Sequence, residues 1–550
     1  MQTAPAGRVG PKQPVSAQHA VCAAQHPIVT DTVIDVMRGG GNAIDAAVAG
    51  CLVQATVQQD MTDHAGTISL LYWDAASGRM HELNSWGTIV PGLAPFRPVP
   101  AEKASLGYSG LGAAFAVIPG FMPGLQAMYE RFGSRPWSQL CEPAIRWAEE
   151  GHEVNSFEHQ ALVENATRLL YSESGRAHFA PSGHLPQVGD RWPKPELART
   201  LRALAAEGPD HFVHGGWARA FVQRANDMGW DIELRHMSAI PPRWQQGRRY
   251  RHGEHEIVQL SPPEVAAVTC ALVLGILREL DVTSLGHYTE SAEALYYLGH
   301  TLRRARLEMG LVNDPEIFED PAELLMSPSL HAYLAEVIRR SRPKVDLRRH
   351  VELIAGRPAM RAAGMTDPGA GSCELSLVDP QGNWVQMINT CQGGGIPGEV
   401  VGGVSMMGCT AGTSLASGIG GWFAGGGRMR GIVGNTFVLK DGQPVWSLGT
   451  PGFPIWTVPQ VLLNRLDYGM GPYEAEEAPR AFPLTDDYRL PIESRISSAV
   501  VDDLARLGVL VDPLVGYDYH MGSFQMSWRG EDGLLHSSAG PRRAGSAAGF

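Results

Sequence analysis

Cysteine is sparse and unpatterned in this 550-residue chain: there are seven, an odd number with no CxxC pair, so neither a disulfide framework nor a paired-thiolate zinc site is indicated. A reducing compartment is expected. Long apolar runs are missing too. No stretch of about 18 apolar residues occurs, and Met1–Gln18 lacks the apolar centre of a secretory signal, so an unanchored cytoplasmic protein is expected. Positive charge is not concentrated either. The net charge is −12, and the Arg-Arg pairs at 248, 303, 339 and 348 are short, separated and read as solvated helix faces, which argues against nucleic acid as a partner. Glycine is dense from Gly393 to Gly434, yet no GxxxxGK[ST] phosphate loop stands there. His252, His255 and Glu256 surround Gly253 and fit a surface turn better than a metal cluster. Neither cofactor nor metal is expected.

What is present is a globular, turn-rich composition, 44% hydrophobic and 19% charged with 64 glycines. Helical spacing is predicted over 26–54, with an interruption at Gly39–Gly41, over 118–154, 195–207 and 265–307. Strands are predicted at 66–72 and 80–90. After Gly364 the texture changes to short strands, 373–378 and 384–388, around the turn Asp379-Pro380-Gln381-Gly382. The fold class is α+β. The tail Gly540–Phe550 is small and polar and is expected to fray.

One signature is Gly40-Gly41-Asn42-Ala43-Ile44-Asp45-Ala46-Ala47-Val48-Ala49, in which Asn42 suits a helix N-cap and Asp45 the first turn. In order behind it come Ile118-Pro119-Gly120, Arg131-Phe132-Gly133, Pro143-Ala144-Ile145-Arg146, Asn313-Asp314-Pro315, Leu439-Lys440-Asp441-Gly442 and Glu477-Ala478-Pro479-Arg480. Together these resemble the gamma-glutamyltransferase family of N-terminal-nucleophile (Ntn) hydrolases over nearly the whole chain. The resemblance implies a four-layer αββα sandwich built from a precursor that cuts itself into two fragments that remain associated. Here they would be a helix-rich large-subunit-like region, 1–371, and a small-subunit-like region, 372–550. A small-molecule substrate is implied, without membrane or nucleic acid.

The same resemblance places Ser372 where the family has its nucleophilic threonine, with Ser376, Asp379, Gly382 and Asn383 in register. A hydroxyl or thiol there must attack the preceding carbonyl, and the freed α-amine then activates that same nucleophile. Cys373 is the alternative nucleophile, its thiol being intrinsically more reactive, but a one-residue slip would move Leu375 and Leu377 to the wrong face. Thr390 stands 18 residues after Ser372, where the family's second threonine bonds the nucleophile. Gln392 takes the place of a family asparagine at a substrate-binding position. Gly452 and Phe453 align with the loop whose backbone N–H groups form an oxyanion hole, the Phe453 ring being expected near the acyl group.

The family's glutamyl clamp is almost wholly missing. Trp86 stands by the arginine's position, the acidic pair falls among Thr410-Ala411-Gly412, and the serine pair falls near Gly431-Ile432. A gamma-glutamyl group should therefore bind poorly, and Trp86 and Phe453 suggest a flatter, more apolar substrate. Asp63 and His64, in the stretch replacing a glycine-rich family segment, read as a capped turn with a surface histidine, or else as a proton-transfer pair. The leading expectation is a seryl acyl-enzyme acting on a different substrate, by amide or carbon–carbon bond hydrolysis, the latter as in 4-alkylproline-type antibiotic biosynthesis. A catalytically silent binding protein and a true gamma-glutamyl hydrolase are the alternatives.

Overall fold

Along the strand Ser372–Val378, Ser372, Glu374 and Ser376 alternate with Cys373, Leu375 and Leu377, and the two sets face different layers. Leu375 and Leu377 enter an apolar core shared with the helices Pro27–Arg38 and Ala43–Val57. On the opposite face the Ser376 hydroxyl meets those of Ser447 and Ser527, at 3.1 and 2.9 Å, on strands of a second sheet.

In the computed structural model, which describes residues 7–89, 117–341, 371–391, 393–396, 398–406 and 426–550, this strand is internal to an antiparallel sheet of seven. The order is Ser546–Gly549, Val21–Ala24, Ser372–Val378, Trp384–Thr390, Thr67–Asp74, Arg79–Ser85, Arg243–Gln245. The second seven-stranded sheet, also antiparallel, runs Val15–Ala17, Leu535–Ala539, Gln525–Arg529, Gln443–Gly449, Thr436–Lys440, His255–Gln259, Arg248–His252. Leu71, Trp384, Val258 and Phe437 fill the space between the sheets. The helices Ala266–Glu279, Ala292–Glu308 and Pro454–Leu466 cover the outer face of the second sheet, completing α, β, β and α layers. Both sheets take strands from before and after Gly371. Among the described residues no helix is long and apolar enough to cross a membrane.

The helix Ala43–Val57 is buried along its whole length, so its amphipathicity carries no orientation signal and its ends must position it. Its N-terminus is a capping box. The Asn42 side chain accepts from the amides of Ile44 and Asp45, and Asp45 accepts from the amide of Asn42. A second anchor comes from Asp379, just past the strand of Ser372, which accepts from the amide of Ala43 at 2.9 Å and from those of Gln381 and Asn383 at 2.9 Å each. One carboxyl group therefore closes the turn after that strand and ties it to a helix N-terminus more than 300 residues earlier.

Two expectations are corrected. The predicted helical zones break in two: 118–154 into Phe121–Phe132 and Trp137–Glu150, and 265–307 into Ala266–Glu279 and Ala292–Glu308. Pro136 starts a new helix in the first case; in the second, Asp281 and Gly286 adopt positive φ and turn the chain. The tail does not fray: Ser546–Gly549 pairs with Val21–Ala24 through backbone bonds that its Ser, Ala and Gly side chains do not advertise.

Asp379→Ala is expected to lower stability by about 2–4 kcal/mol, the scale of a lost cap plus charge-assisted hydrogen bonds. Urea unfolding measures this, and a loss below about 0.5 kcal/mol would mean the tie is not structural.

Candidate active site

Antiparallel pairing sets Ser372 opposite Thr390, where both hydroxyls meet beside the carbonyl that precedes Ser372. Thr390 Oγ1 donates to the Gly371 oxygen at 2.6 Å, and Ser372 Oγ donates to Thr390 Oγ1 at 2.8 Å. Ser372 Oγ itself lies 2.8 Å from the Gly371 oxygen. On the other side of the residue, Arg543 Nη1 donates to the Ser372 carbonyl at 2.8 Å, its guanidinium lying over the Phe157 and Tyr519 rings. The peptide bond between Gly371 and Ser372 is thus held at both flanking carbonyls, with a hydroxyl beside the first. Met61 packs its backbone against Gly371, where a β-carbon would come within 2.6 Å of the Met61 oxygen.

Cys373 faces the other way. Its thiol contacts Gln58 Oε1 at 3.5 Å and is buried among Met61, Phe157, Ala161, Tyr519 and Ala544. Burial, reinforced by the Asp60 carboxyl, pushes this thiol well above the ordinary range, which disfavours the nucleophilic thiolate.

The expected oxyanion loop starts beside the same strand. Gly449, the last residue of its strand, abuts the Glu374 side chain so closely that a β-carbon there would collide with the carboxyl oxygen. Three residues on, Gly452 takes φ +92°, left-handed backbone that glycine adopts without strain. The backbone N–H groups of Gly452 and Phe453 have no hydrogen-bond partner among the described residues. These are the two amides that the resemblance assigns to an oxyanion. The Phe453 ring stacks on Trp456 at 4.7 Å and meets Phe482 edge-on at 5.7 Å, so it is committed to the core beneath the second sheet.

Trp86 is buried, its indole N–H donating to Ser69 Oγ at 2.9 Å, and Ser69 donating in turn to Glu264 Oε1 at 2.6 Å. Burial holds the Glu264 carboxyl well above the carboxylate range, which favours its neutral form. Gly431 lies against both: a β-carbon at Gly431 would stand 2.6 Å from Trp86 Cε2 and collide with the Glu264 carboxyl. Trp86 and Gly431, from distant parts of the chain, therefore meet in space, and the indole and the Glu264 carboxyl occupy volume that any side chain at Gly431 would need. Gln392, Thr410–Gly412 and the Arg348–Arg349 pair lie outside the described residues.

His64 is fully buried and not at the surface as expected. Desolvation lowers its pKa to about 4, and it therefore stays neutral while its Nε2 sits 3.2 Å from the Leu52 carbonyl. Asp63 does cap the turn, accepting from the amide of Ala65 at 2.8 Å. His252 pairs with Asp467 at 2.8 Å and the hairpin turns at Gly253, in keeping with the surface-turn reading.

Behind Cys373 lies a buried polar group that sequence reading missed, composed of Asp60, His26, His152, Glu158 and Lys194. His26, His152 and Glu158 come close enough to suggest a metal site. Their hydrogen bonds argue otherwise. His26 Nδ1 accepts from the amide of Ile28 at 3.2 Å, and His152 Nδ1 faces the Lys194 ammonium at 3.5 Å. With those roles both Nε2 atoms carry hydrogen, that of His152 donating to Glu158 at 2.8 Å, so neither histidine offers a lone pair to a cation. Only Asp60, within the departure from the family's glycine-rich stretch, offered a clue in the sequence.

A four-layer αββα sandwich with a hydroxyl residue heading an internal strand, directly after a gripped carbonyl, is the architecture of an Ntn-type hydrolase or acyltransferase. The family described as gamma-glutamyltranspeptidase matches residues 30–550, and the chain belongs to it. It is 26% identical over 564 residues to the acylase ACY 1 proenzyme of Pseudomonas sp. (strain SE83), covering 97% of this chain and 96% of that protein. To the glutathione hydrolase proenzyme of Escherichia coli (strain K12) it is 25% identical over 560 residues, covering 96% and 91%. The crystal structure of cephalosporin acylase from Bacillus halodurans superposes with a TM-score of 0.79 at 22% identity, covering 98% and 97%.

Glu374 is fully buried, accepts from Gln386 Nε2 at 2.6 Å, and has its pKa raised by burial from 4.5 to about 8. The folded state therefore holds a proton that the unfolded chain releases, so the contribution to stability is complete below about pH 4.5 and lost as pH rises towards about 8. Glu374→Gln is expected to flatten the decline of stability across that window by up to ~1.4 kcal/mol per pH unit. Equal slopes in the two proteins would mean the carboxyl is ionised throughout.

Proposed function

We propose that this chain is a self-processing acylase whose nucleophile is Ser372 and whose substrate is an amide with a largely uncharged acyl group, not a gamma-glutamyl compound. The reading is supported by the contrast between two regions: the Ser372 and Thr390 hydroxyls gather at the Gly371 carbonyl as a nucleophile would require, while Trp86 and Gly431, at the positions expected for the glutamyl clamp, carry no charge and pack together.

In the precursor, Ser372 Oγ attacks the Gly371 carbonyl carbon, and Thr390 donates to the oxygen as negative charge develops there. The hydroxyl proton passes to the departing Ser372 nitrogen, forming an ester between Gly371 and Ser372. Water hydrolyses the ester to a Gly371 carboxylate and a free α-amine. This cleavage defines the two fragments, 1–371 and 372–550. The α-amine, with an ordinary pKa near 7.7–8, then takes the Oγ proton as the hydroxyl attacks substrate. The N–H groups of Gly452 and Phe453 receive the oxyanion, the α-ammonium returns the proton to the departing amine as the C–N bond breaks, and water then resolves the acyl-enzyme to a carboxylic acid and free Ser372. The same nucleophile and donors would serve an activated ketone, the carbon–carbon variant of this chemistry.

Intact-mass analysis of purified protein tests the first half: one fragment should end at Gly371 and the other begin at Ser372. Ser372→Ala should remain a single chain, Ser372→Thr should still be cut, and Thr390→Val should process about 10²-fold more slowly. A fragment beginning at Cys373, or a wild-type chain that never cleaves, overturns the assignment. For the acyl group, cleaved enzyme should turn over valeryl-p-nitroanilide at least about tenfold faster than gamma-glutamyl-p-nitroanilide, since each missing charge-assisted bond is worth roughly 1.5–3 kcal/mol. The reverse order would restore the glutamyl reading.

A further inference from the structure

Glu374 stands two residues after Ser372 on the same face of the strand, turned towards the second sheet. A β-carbon at Gly449 would collide with its Oε1, so the side chain fills the gap between the nucleophile strand and the end of the strand Gln443–Gly449. Gly449 also opens the segment that carries the Gly452 and Phe453 amides. One buried acid thus touches both the strand of Ser372 and the base of that segment. The chemistry assigned above makes no use of it.

The groups around this carboxyl call for a hydrogen-bond donor. Gln386 Nε2 donates to Glu374 Oε1 at 2.6 Å and reaches the Gln525 carbonyl at 3.4 Å. Glu374 Oε2, Gln386 Oε1 and Gln525 Oε1 are buried without a hydrogen-bond partner. A carboxylate would add to this surplus of acceptors, whereas the protonated carboxyl brings an O–H that an amide oxygen can accept. Among the described residues, the elements packed on Glu374 present Gln25, Gln386, Ser447, Gly449, Gln525 and Ser527, none of them charged. The Cys51 thiol, on the helix side of the sheet, is pushed up to about 12 by burial and stays neutral. Arg543 is engaged by the Ser372 carbonyl and Gln25 Oε1. Burial accordingly raises the Glu374 pKa to about 8.

We propose that Glu374 is a positioning residue for acyl transfer, seating the segment 449–453 against the nucleophile strand only while its carboxyl keeps its proton. This role rests on Ser372 as nucleophile and on Gly452 and Phe453 as its oxyanion donors. A carboxylate in this place would favour the ammonium form of the Ser372 α-amine and would repel the oxyanion, so it opposes attack twice over. Reaction at Ser372 therefore needs the amine deprotonated and Glu374 protonated, and it is lost as pH rises through about 8.

Phenylmethanesulfonyl fluoride tests this on the cleaved protein without choosing an acyl group: Ser372 Oγ displaces fluoride, and intact mass follows the sulfonate ester between about pH 6 and about pH 9.5. The wild-type rate should describe a bell that falls about tenfold per pH unit on its basic side. Glu374→Gln keeps the shape and supplies a permanent N–H donor, and its rate should rise to a plateau with no basic fall. Gln386→Met removes the hydrogen bond that favours the carboxylate and should move the fall upward by about half a pH unit or more, which keeps the role testable if Glu374→Gln fails to fold or cleave. No sulfonate on Ser372 at any pH overturns the nucleophile reading and this role with it. A wild-type rate without a basic fall, a fall that Glu374→Gln retains, or one that Gln386→Met leaves in place overturns the role of Glu374 alone.

Discussion

The antiparallel register that sets Ser372 opposite Thr390 is the constraint on which the rest of the molecule turns, because a strand has only two faces and this one is buried on both. With Ser372 turned towards the second sheet, Glu374 and Ser376 follow it, and Leu375 and Leu377 must enter the helix-side core. A slip by one residue would bury Ser372, Glu374 and Ser376 among aliphatic side chains, which no local adjustment would offset. The Asp379 turn and the capped helix Ala43–Val57 hold that register from one end. From the other, Arg543 clasps the Ser372 carbonyl.

Around this strand the protein handles buried polarity in two ways. Some acids are pushed towards their neutral form: burial raises the pKa of both Glu374 and Glu264, which favours little net charge between the sheets near Ser372. Others are paired outright. Arg542 binds Glu493 through two bonds of 2.7 Å, and Arg480 bonds to Glu476 and to the carbonyls of Met521 and Gly522. Those pairs fix the segment that brings Arg543 to Ser372 and the residues 520–522 that back the Gly452 turn. Weakly charged surroundings at Ser372 and a rigid ionic frame behind it are complementary, since preorganised hydrogen-bond donors act most strongly where competing charge is absent.

Much of this was legible in the residues. Asn42 and Asp45 form the cap their spacing implies, Thr390 meets Ser372, and the strand-rich texture after Gly364 coincides with strands internal to both sheets. What misled was polarity taken as exposure. His64 looks like a surface residue in Asp-His-Ala-Gly, yet its turn is roofed by helix and strand; the Gly540–Phe550 tail looks disordered, yet its backbone completes a sheet edge. The Phe453 ring turns to Trp456 and Phe482, partners that neither spacing nor motif connects to it.

By itself the sequence determined the family, the αββα architecture and the strand headed by Ser372, because each is written in a local pattern: alternation, a capping box, motifs in a fixed order. Tertiary structure alone decided that Trp86 and Gly431 pack together, that Cys373 and Ser372 face opposite layers, and that Asp60, Glu158 and Lys194 share a buried site. The physical reason is that charge state and volume depend on neighbours distant in the chain. A glutamate becomes neutral, or a glycine becomes necessary, only through what folding places against it.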